Sequence, residues 1–544
     1  MPPTTVLASL VSRLRDAWSP VRKAMRDLRG QWGKPGDRDG WLAGDYFDHV
    51  ADAGSAACID DKTWTDLEFP KIFASLDACV TPLGSQVLYR RMRTRCDDTG
   101  ELAARCAAYR ELQANAALRE ALQRRLLPLR DDDNARIAGF LFGPLPPPRP
   151  IPQRVLLVVW SLASIVVLAG VIAWAWPVAI WIAMVFVNVA ILARAYARAL
   201  AEVDMLKRCL DLIDVADTLA ASTGAHPGMP CLARLRDERG NRAAVRNALR
   251  LLAFLKRPGV SYGVVWLNFA FLLEPLVHMR AMARFARLRS RLAASFERVG
   301  EVDASIAVAS WLAYAGRACT PALVEGALLD IRDGRHPLLP EGVANSVRLD
   351  RQSALVTGSN MAGKTTFIKM LGVNVLLGQT LGFCLASAAT IPRARVLASI
   401  QAAHSVAAGK SHYFSEVETI QSFLADRDDQ GCAIFVIDEL FSGTNTVERV
   451  AIARAVLETL GRRGLVLATT HDVELQDRLE DRYRLFHFQE SPEVDGYFDF
   501  TLWAGPATER NAIRLLRELG FPGEVIAPAL RYAAENAAAA AQPG

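Results

Sequence analysis

Apolar and charged positions divide the chain into stretches of different texture, the most distinct near its middle. From 155 to 193 there is no charged residue, and the polar ones are Ser161, Ser164 and Asn188. A helix needs about 20 apolar residues to cross hydrocarbon, so this run is too long for one span. Pro177, which follows Trp174 and Trp176, breaks helical hydrogen bonding and leaves two arms of roughly 17 to 20 residues. The pattern predicts a transmembrane helical hairpin over 151–195. Arg149 and Arg154 precede the first arm, and Arg194 and Arg198 follow the second. That charge bias puts both flanks on the cytoplasmic side and the tip, 174–181, outward. A hairpin buried in a soluble core is the competing reading, but soluble helices normally keep a polar stripe that these arms lack. The run 260–277 contains Asn268, Glu274 and Pro275, with His278 next, and predicts a buried core helix rather than a third span.

On either side of the hairpin, apolar residues recur at helical spacing among charged ones. Residues 60–142 predict a helical unit, and 194–220 and 279–314 predict long, arm-like helices separated by a break at 222–230. Arg234, Arg236, Arg239, Arg242 and Arg246 lie just after that break. They read either as phosphate contacts or as a solvated basic face. The proline-rich stretch 144–152 cannot be helix interior and marks a boundary. Near the N-terminus, Leu7, Leu10, Leu14, Trp18, Val21 and Met25 alternate with Arg13, Arg15, Arg22, Lys23 and Arg26. This stripe suits an amphipathic helix on anionic lipid or one packed on its own protein, and Pro20 interrupts it. No signal-peptide pattern is present there. From about 328 onward, short apolar runs bounded by glycine alternate with helical patterns, as in an α/β domain with a mostly parallel sheet. The expected segments are 1–58, 59–150 and 196–325 (helical), 151–195 (hairpin), 326–530 (α/β) and 531–544 (a frayed tail).

Length and charge narrow the functional classes. The chain has 544 residues and a formal net charge of +5. That length calls for several structural units, and so small a charge excludes a surface that is basic throughout. The nine cysteines show no zinc spacing and read as reduced, structural thiols.

The candidate chemistry lies in the last third. A strand over 354–357 runs into Gly358, Ser359, Asn360, Met361, Ala362, Gly363, Lys364 and Thr365, which fit the phosphate-loop pattern G-x-x-x-x-G-K-[ST] in full. A helix beginning at Thr366 follows. Backbone N–H groups of such a loop cradle phosphates, a lysine at the position of Lys364 reaches the β- and γ-phosphates, and the Thr365 hydroxyl ligates Mg²⁺. A second apolar strand ends in Asp438 and Glu439, one carboxylate for Mg²⁺ and one near the attacking water. A third, 465–470, leads to His471, an imidazole able to sense the γ-phosphate or orient water.

These motifs resemble those of the MutS family of DNA mismatch repair proteins. Asn360 and Met361 between the glycines set that family's phosphate loop apart from most others. Residues 409–417 are similar to the family's segment that reaches the nucleotide of the opposite subunit, which would make Ser411 an ATP ligand in trans. Residues 438–446 resemble its Walker B region, and Thr469, Thr470 and His471 resemble its Ala-Thr-His switch, with threonine where alanine is common. Arg335, His336 and Pro337 look like the opening of its ATPase domain, and 519–526 look like its C-terminal helical signature. Asp66, Leu67 and Glu68, with 81–85, echo its helical core and lever. About 58 residues precede that core, so the family's mismatch-reading domains are not expected in this sequence, nor is the C-terminal nuclease domain of another branch.

The resemblance implies a fold of helical core and lever followed by an ABC-type P-loop ATPase domain. The membrane hairpin within that core comes from the apolar run; it is foreign to soluble mismatch repair proteins and would constrain how the core could encircle DNA. The resemblance also implies ATP and Mg²⁺ as cofactors, with Gly358 to Thr366 and Ser411 binding ATP, Thr365 and Asp438 holding the metal, and Lys364, Glu439 and His471 acting in hydrolysis. A homodimer with composite nucleotide sites is expected, anchored in the cytoplasmic membrane through 155–193, with DNA as a further partner. The alternative is a clamp or tether on DNA or protein whose turnover is slow. A transporter subunit is a third possibility, disfavoured because one hairpin supplies few spans.

Overall fold

The computed structural model describes residues 20–37, 43–51, 55, 57–147, 150–221, 228–255, 267, 269–359, 361–400, 412–425, 432–441, 445–472, 474–479, 481–489, 498–506 and 520–540. They form two compact units. One comprises Met1–Asp52, Phe73–Arg91 and Ala107–Tyr314, the other Ala53–Ile72, Met92–Cys106 and Ala315–Gly544.

Every described secondary-structure element of the first unit is helical. Helix α1 (Ile151–Trp174) and helix α2 (Val178–Ala221) are the arms of a hairpin. Ala175 turns the chain in the left-handed region (φ +53°), and the Trp176 N–H donates to the Gly170 carbonyl at 3.3 Å. At Gly170 a Cβ would stand 2.5 Å from the Trp176 ring, so any other residue there would have to displace that ring. Only 17% of the most apolar 18-residue stretch of α1 is buried, and it is the one described helix long and apolar enough to cross a membrane. Val155, Leu156, Val159, Leu162 and Val166 are all exposed. The apolar part of α2, Val178–Leu192, is shorter, and α2 continues past 195 as one helix of 44 residues.

Of the run 260–277, whose pattern suggests a buried core helix, 260–266 and 268 lie outside the described residues, and in the described part the helix is interrupted at Leu272. Leu272 has a left-handed backbone (φ +52°), and helix α3 (Leu273–Ala315) starts directly after it. Pro275 sits in the first turn of α3, where a missing N–H is tolerated but from which a preceding helix could not continue.

A buried carboxylate organises the rest of this unit. Asp303, fully buried, accepts from the Val80 N–H (2.9 Å), the Thr81 N–H (2.7 Å) and the Thr81 hydroxyl (2.7 Å). It thereby satisfies donors at the start of the helix Pro82–Arg93. Two of the five arginines after the helix break are consumed in the same way. Arg242, fully buried, donates to Asp217 at 2.8 Å, and Arg246 bonds Asp217 and Asp214 at 2.8 and 2.5 Å. The phosphate-contact reading is corrected for these two, whereas Arg234, Arg236 and Arg239 remain exposed.

The second unit is α/β. Its strands in chain order are β1 (Ala322–Val324), β2 (Leu328–Gly334), β3 (Asn345–Asp350), β4 (Ser353–Thr357), β5 (Ala388–Pro392), β6 (Ala394–Ser399), β7 (Cys432–Asp438), β8 (Gly464–Thr469), β9 (Tyr483–His487) and β10 (Trp503–Ala504). A four-stranded sheet has the order β1-β5-β2-β3, and a six-stranded sheet the order β10-β9-β4-β8-β7-β6. The larger sheet is parallel except for β10. All five residues of β4 are buried, as expected of a central parallel strand covered on both faces. Leu355, Phe435, Ile437 and Val466 build the core with Phe423 of helix α5 (His412–Ala425) and Leu457 of helix α6 (Thr446–Leu460). Helix α4 (Lys364–Thr380) follows β4.

Segments 53–72 and 92–106 join this unit although their helical periodicity groups them with 59–150. The reason is hydrogen bonding remote in sequence. The Thr63 hydroxyl accepts from the Ala398 N–H at 3.0 Å, and the Asp66 carboxylate accepts from the Ile400 N–H at 2.9 Å. The helix Asp61–Asp66 thus covers the edge strand β6, which would otherwise present unpaired N–H groups.

Candidate functional site

The strands β4, β8 and β7 are neighbours in one parallel sheet, so their carboxyl ends open on the same edge. From that edge emerge the loop 358–363, the acids Asp438 and Glu439, and the turn 470–472. In open α/β sheets this is where ligands bind.

The loop after β4 needs unusual backbone at three places. Gly358 (φ +138°), Met361 (φ +70°) and Gly363 (φ +102°) all lie at positive φ. At 358 a Cβ would come within 2.5 Å of the Phe488 carbonyl, so only glycine fits. Gly363 is the N-cap of α4 and leaves the helix N-terminus without a side-chain cap. Its first N–H groups and the positive end of the helix dipole are therefore free to meet an anion. The Ser359 hydroxyl is buried with no partner among the described residues.

Lys364 is buried, and its ammonium donates to the carbonyls of Gly358 and Ser359, both at 2.9 Å. Burial lowers its pKa, and the Glu439 and Asp438 carboxylates oppose that shift. Next along the helix, the Thr365 hydroxyl donates to Asp438 Oδ2 at 2.9 Å, while Thr366 is exposed. The other Asp438 oxygen accepts from the Thr469 hydroxyl at 2.5 Å, Asp438 and Thr469 being register partners on β7 and β8. The same hydroxyl accepts from the Glu439 N–H at 3.2 Å. Threonine at 469, where the family commonly has alanine, therefore fastens both acids.

Glu439 turns out of β7 at positive φ (+50°), and its carboxylate meets His471 Nε2 at 2.6 Å. The hydrogen bond to His471 is the main cause holding the Glu439 carboxyl below its ordinary pKa, with burial acting against it. His471 Nε2 is also 3.4 Å from the Lys364 ammonium. Lys364, Thr365, Asp438, Glu439 and His471 thus form one contiguous cluster. Asn360 and Ser411 lie outside the described residues, so neither is located here.

Two further contacts carry no motif in the sequence. Arg449 on α6 grips Asp472 through two hydrogen bonds, 2.9 and 2.7 Å, and the Asp472 N–H donates to the Thr470 hydroxyl at 3.0 Å. The turn that presents His471 is clamped from both sides. Glu416 on α5, largely buried, accepts from the N–H of Phe441 at 2.5 Å, and burial raises its pKa. Only acid and base spacing along helices could have hinted at these, and that spacing is common on any surface.

Thr365 and Asp438 offer hard oxygen donors side by side, a set that suits Mg²⁺ sharing its shell with phosphate and water. Among the described residues no group of three or more His, Cys, Asp or Glu is placed to hold a metal by itself.

Residues 354–536 match the family model MutS domain V. The chain is 32% identical over 260 residues to DNA mismatch repair protein MutS 2 of Halobacterium salinarum, covering 44% of this chain and 30% of that protein. It is 33% identical over 210 residues to DNA mismatch repair protein MutS of Thermus aquaticus, covering 38% and 26%. With DNA mismatch repair protein MutS of Pelotomaculum thermopropionicum the identity is 29% over 263 residues, covering 44% and 30%. The chain spans under a third of the length of these relatives.

Proposed function

From a chain that belongs to the MutS family, we propose an ATPase that binds ATP with Mg²⁺ at the β4–β7–β8 edge and is anchored in a membrane by its helical hairpin. The observation that carries the nucleotide reading is the convergence itself: Thr365 to Asp438 at 2.9 Å, Lys364 to His471 at 3.4 Å and His471 to Glu439 at 2.6 Å.

The loop 358–363 and the α4 N-terminus would hold the phosphates, with Lys364 exchanging its two backbone carbonyls for phosphate oxygens. Thr365 and Asp438 would hold the metal, which when bound neutralises charge developing on the phosphoryl oxygens. Glu439 would accept a hydrogen bond from the attacking water, and His471 would keep that carboxylate oriented and ionised. Thr469 positions both acids. Ser411 supplied by a second copy would complete each site, as the family resemblance implies for a homodimer.

The apolar arms Ile151–Trp174 and Val178–Leu192, largely uncovered, support lipid as the partner of the hairpin. Together with Arg149, Arg154, Arg194 and Arg198 they support an integral protein of the cytoplasmic membrane with its ATPase unit in the cytoplasm. Exposed Arg234, Arg236 and Arg239 keep DNA as a second partner under the slow-clamp reading. That reading requires retention on DNA to fall steeply between low and physiological salt.

The test is steady-state ATP hydrolysis by the full chain in lipid vesicles, with and without Mg²⁺, beside the Lys364→Ala variant. Hydrolysis that requires Mg²⁺ and drops at least a hundredfold in the variant is expected. Unchanged turnover in Lys364→Ala would remove the site assignment, and extraction of the chain by alkaline carbonate would remove the anchor.

A further inference from the structure

We propose that the exposed face of helix α3 nearest the bilayer, led by Arg280 and Arg284, binds the phosphate groups of anionic phospholipids in the cytoplasmic leaflet. The inference rests on the membrane reading of the hairpin and names the class of lipid that goes with it.

Helix α3 carries charge of one sign along its first half. Between 275 and 296 it has five arginines, at 280, 284, 287, 289 and 291, and no acidic residue. Spacings of four, three and four residues keep Arg280, Arg284, Arg287 and Arg291 on one side of a helix, and all four are exposed. Ala281, Phe285, Leu292 and Phe296 are buried on the other side. Arg289 stands off the stripe and donates to the Gly143 carbonyl at 2.6 Å.

Acids of the same unit leave this stripe uncompensated. Elsewhere they hold the arginines, as Asp204 holds Arg208 (2.8 Å), Asp217 holds Arg242 (2.8 Å) and Glu301 holds Arg298 (2.7 Å). Among the described residues no carboxylate pairs with Arg280, Arg284, Arg287 or Arg291, and Arg287 donates to the Ala283 carbonyl at 3.2 Å. Glu202 on the neighbouring α2 is engaged by His278 at 3.2 Å. Like charges three and four residues apart on a helix repel one another, so an anionic surface beside the stripe stabilises it.

The hairpin supplies that surface. Leu272, directly before α3, packs with Leu157 and Leu192 of the hairpin. Leu157 lies three residues after Arg154 and Leu192 two before Arg194. The cluster therefore stands about 3 to 5 Å inside the flanking arginines, at the cytoplasmic edge of the hydrocarbon. The contact of His278 with Glu202, eight residues past Arg194, sets α3 beside the charged part of α2 on its way out of the lipid. Arg280 and Arg284 follow Leu272 by 8 and 12 residues, which is about 12 and 18 Å of helix, or about 8 and 14 Å beyond the flanking arginines. The headgroup layer adds about 5 to 8 Å to each side of the hydrocarbon, and long arginine stems reach toward it. Arg280 thus meets headgroup phosphates, and Arg284 acts on them within about a Debye length, roughly 8 Å. Choline cancels the phosphate charge of phosphatidylcholine, whereas phosphatidylglycerol keeps a net negative charge, so the stripe selects the anionic class. A nucleic acid offers the same phosphate chemistry, but the hairpin already holds a bilayer at the end of the stripe.

The test reconstitutes the full chain in phosphatidylcholine vesicles. Electron spin resonance then compares how strongly acyl-chain spin-labelled phosphatidylglycerol and spin-labelled phosphatidylcholine enter the motionally restricted shell around the protein. A preference of about threefold or more for phosphatidylglycerol is expected at low salt, falling by at least about half at roughly 1 M NaCl and in the Arg280→Gln/Arg284→Gln double variant. The Arg234→Gln/Arg239→Gln double variant makes the same charge change at the far end of α2 and should keep the preference, with helix content by circular dichroism as the folding control. Equal shells for the two lipids overturn the inference while the hairpin stands. Absence of a restricted shell for either lipid removes both. A preference that survives intact in Arg280→Gln/Arg284→Gln refutes the surface, and DNA duplex binding lost in that same variant then assigns the stripe to nucleic acid instead.

Discussion

The pair Arg449 and Asp472 offers a sharp test of how the site is held, because neither is among the residues proposed to hold the nucleotide or the metal. Their two hydrogen bonds, 2.9 and 2.7 Å, join α6 to the turn bearing His471. Side-chain exposures of 22% and 14% place the pair between a surface ion pair and a buried one. A hydrogen bond to a charged group contributes about 1.5–3 kcal/mol when sheltered, and an exposed pair about 0.2–1 kcal/mol. Partial shelter puts the coupling at about 1.5 kcal/mol, or roughly tenfold in rate if all of it is expressed as misplacement of His471. The assay is a double-mutant cycle on ATP hydrolysis with Arg449→Ala, Asp472→Ala and both together. Each single variant should lower kcat about tenfold with KM changed less than about twofold, because in the proposed mechanism His471 acts through Glu439 rather than on bound ATP. The double variant should be no worse than either single one. Thermal unfolding of the four proteins separates a local loosening from general destabilisation. Additive losses, or single variants with unaltered kcat, would refute the reasoning.

Other consequences follow from individual contacts. Glu439→Gln should retain ATP binding and lose hydrolysis at least a hundredfold in single-turnover assays, since an amide cannot take the proton from water. Thr469→Ala removes a hydrogen bond from each acid and should raise the Mg²⁺ concentration for half-maximal activity about fivefold, measured by Mg²⁺ titration at saturating ATP. His336 is buried with its pKa pushed down to about 4, desolvation being the main cause. The unfolded chain, with an ordinary histidine pKa near 6.5, binds the extra proton first. The contribution of His336 is therefore complete above about pH 6.5 and is lost as pH drops to about 4, by on the order of 3 kcal/mol. Chemical denaturation across that window should show the slope in the native protein and a flatter one in His336→Asn.

Much of this protein is legible along the chain. An uncharged run split by Pro177 determines a hairpin, because an all-apolar helix is readable without knowing its neighbours. The loop 358–365 and the acids closing β7 are equally legible, since phosphate chemistry restricts local residue types and glycine positions. Tertiary structure alone decided what depends on contacts distant in sequence. Arg242 looked available to an anion until Asp217 neutralised it in the interior. Thr469 looked like a departure from a family pattern until the β7–β8 register set its hydroxyl on Asp438. The bonds from Asn188 and Ser161 of the hairpin to the carbonyls of Phe269 and Phe271, beside the break at Leu272, join residues more than 80 positions apart. Periodicity records which face of an element is apolar, whereas pairing of buried polar groups depends on which segments meet, and only the folded chain determines that.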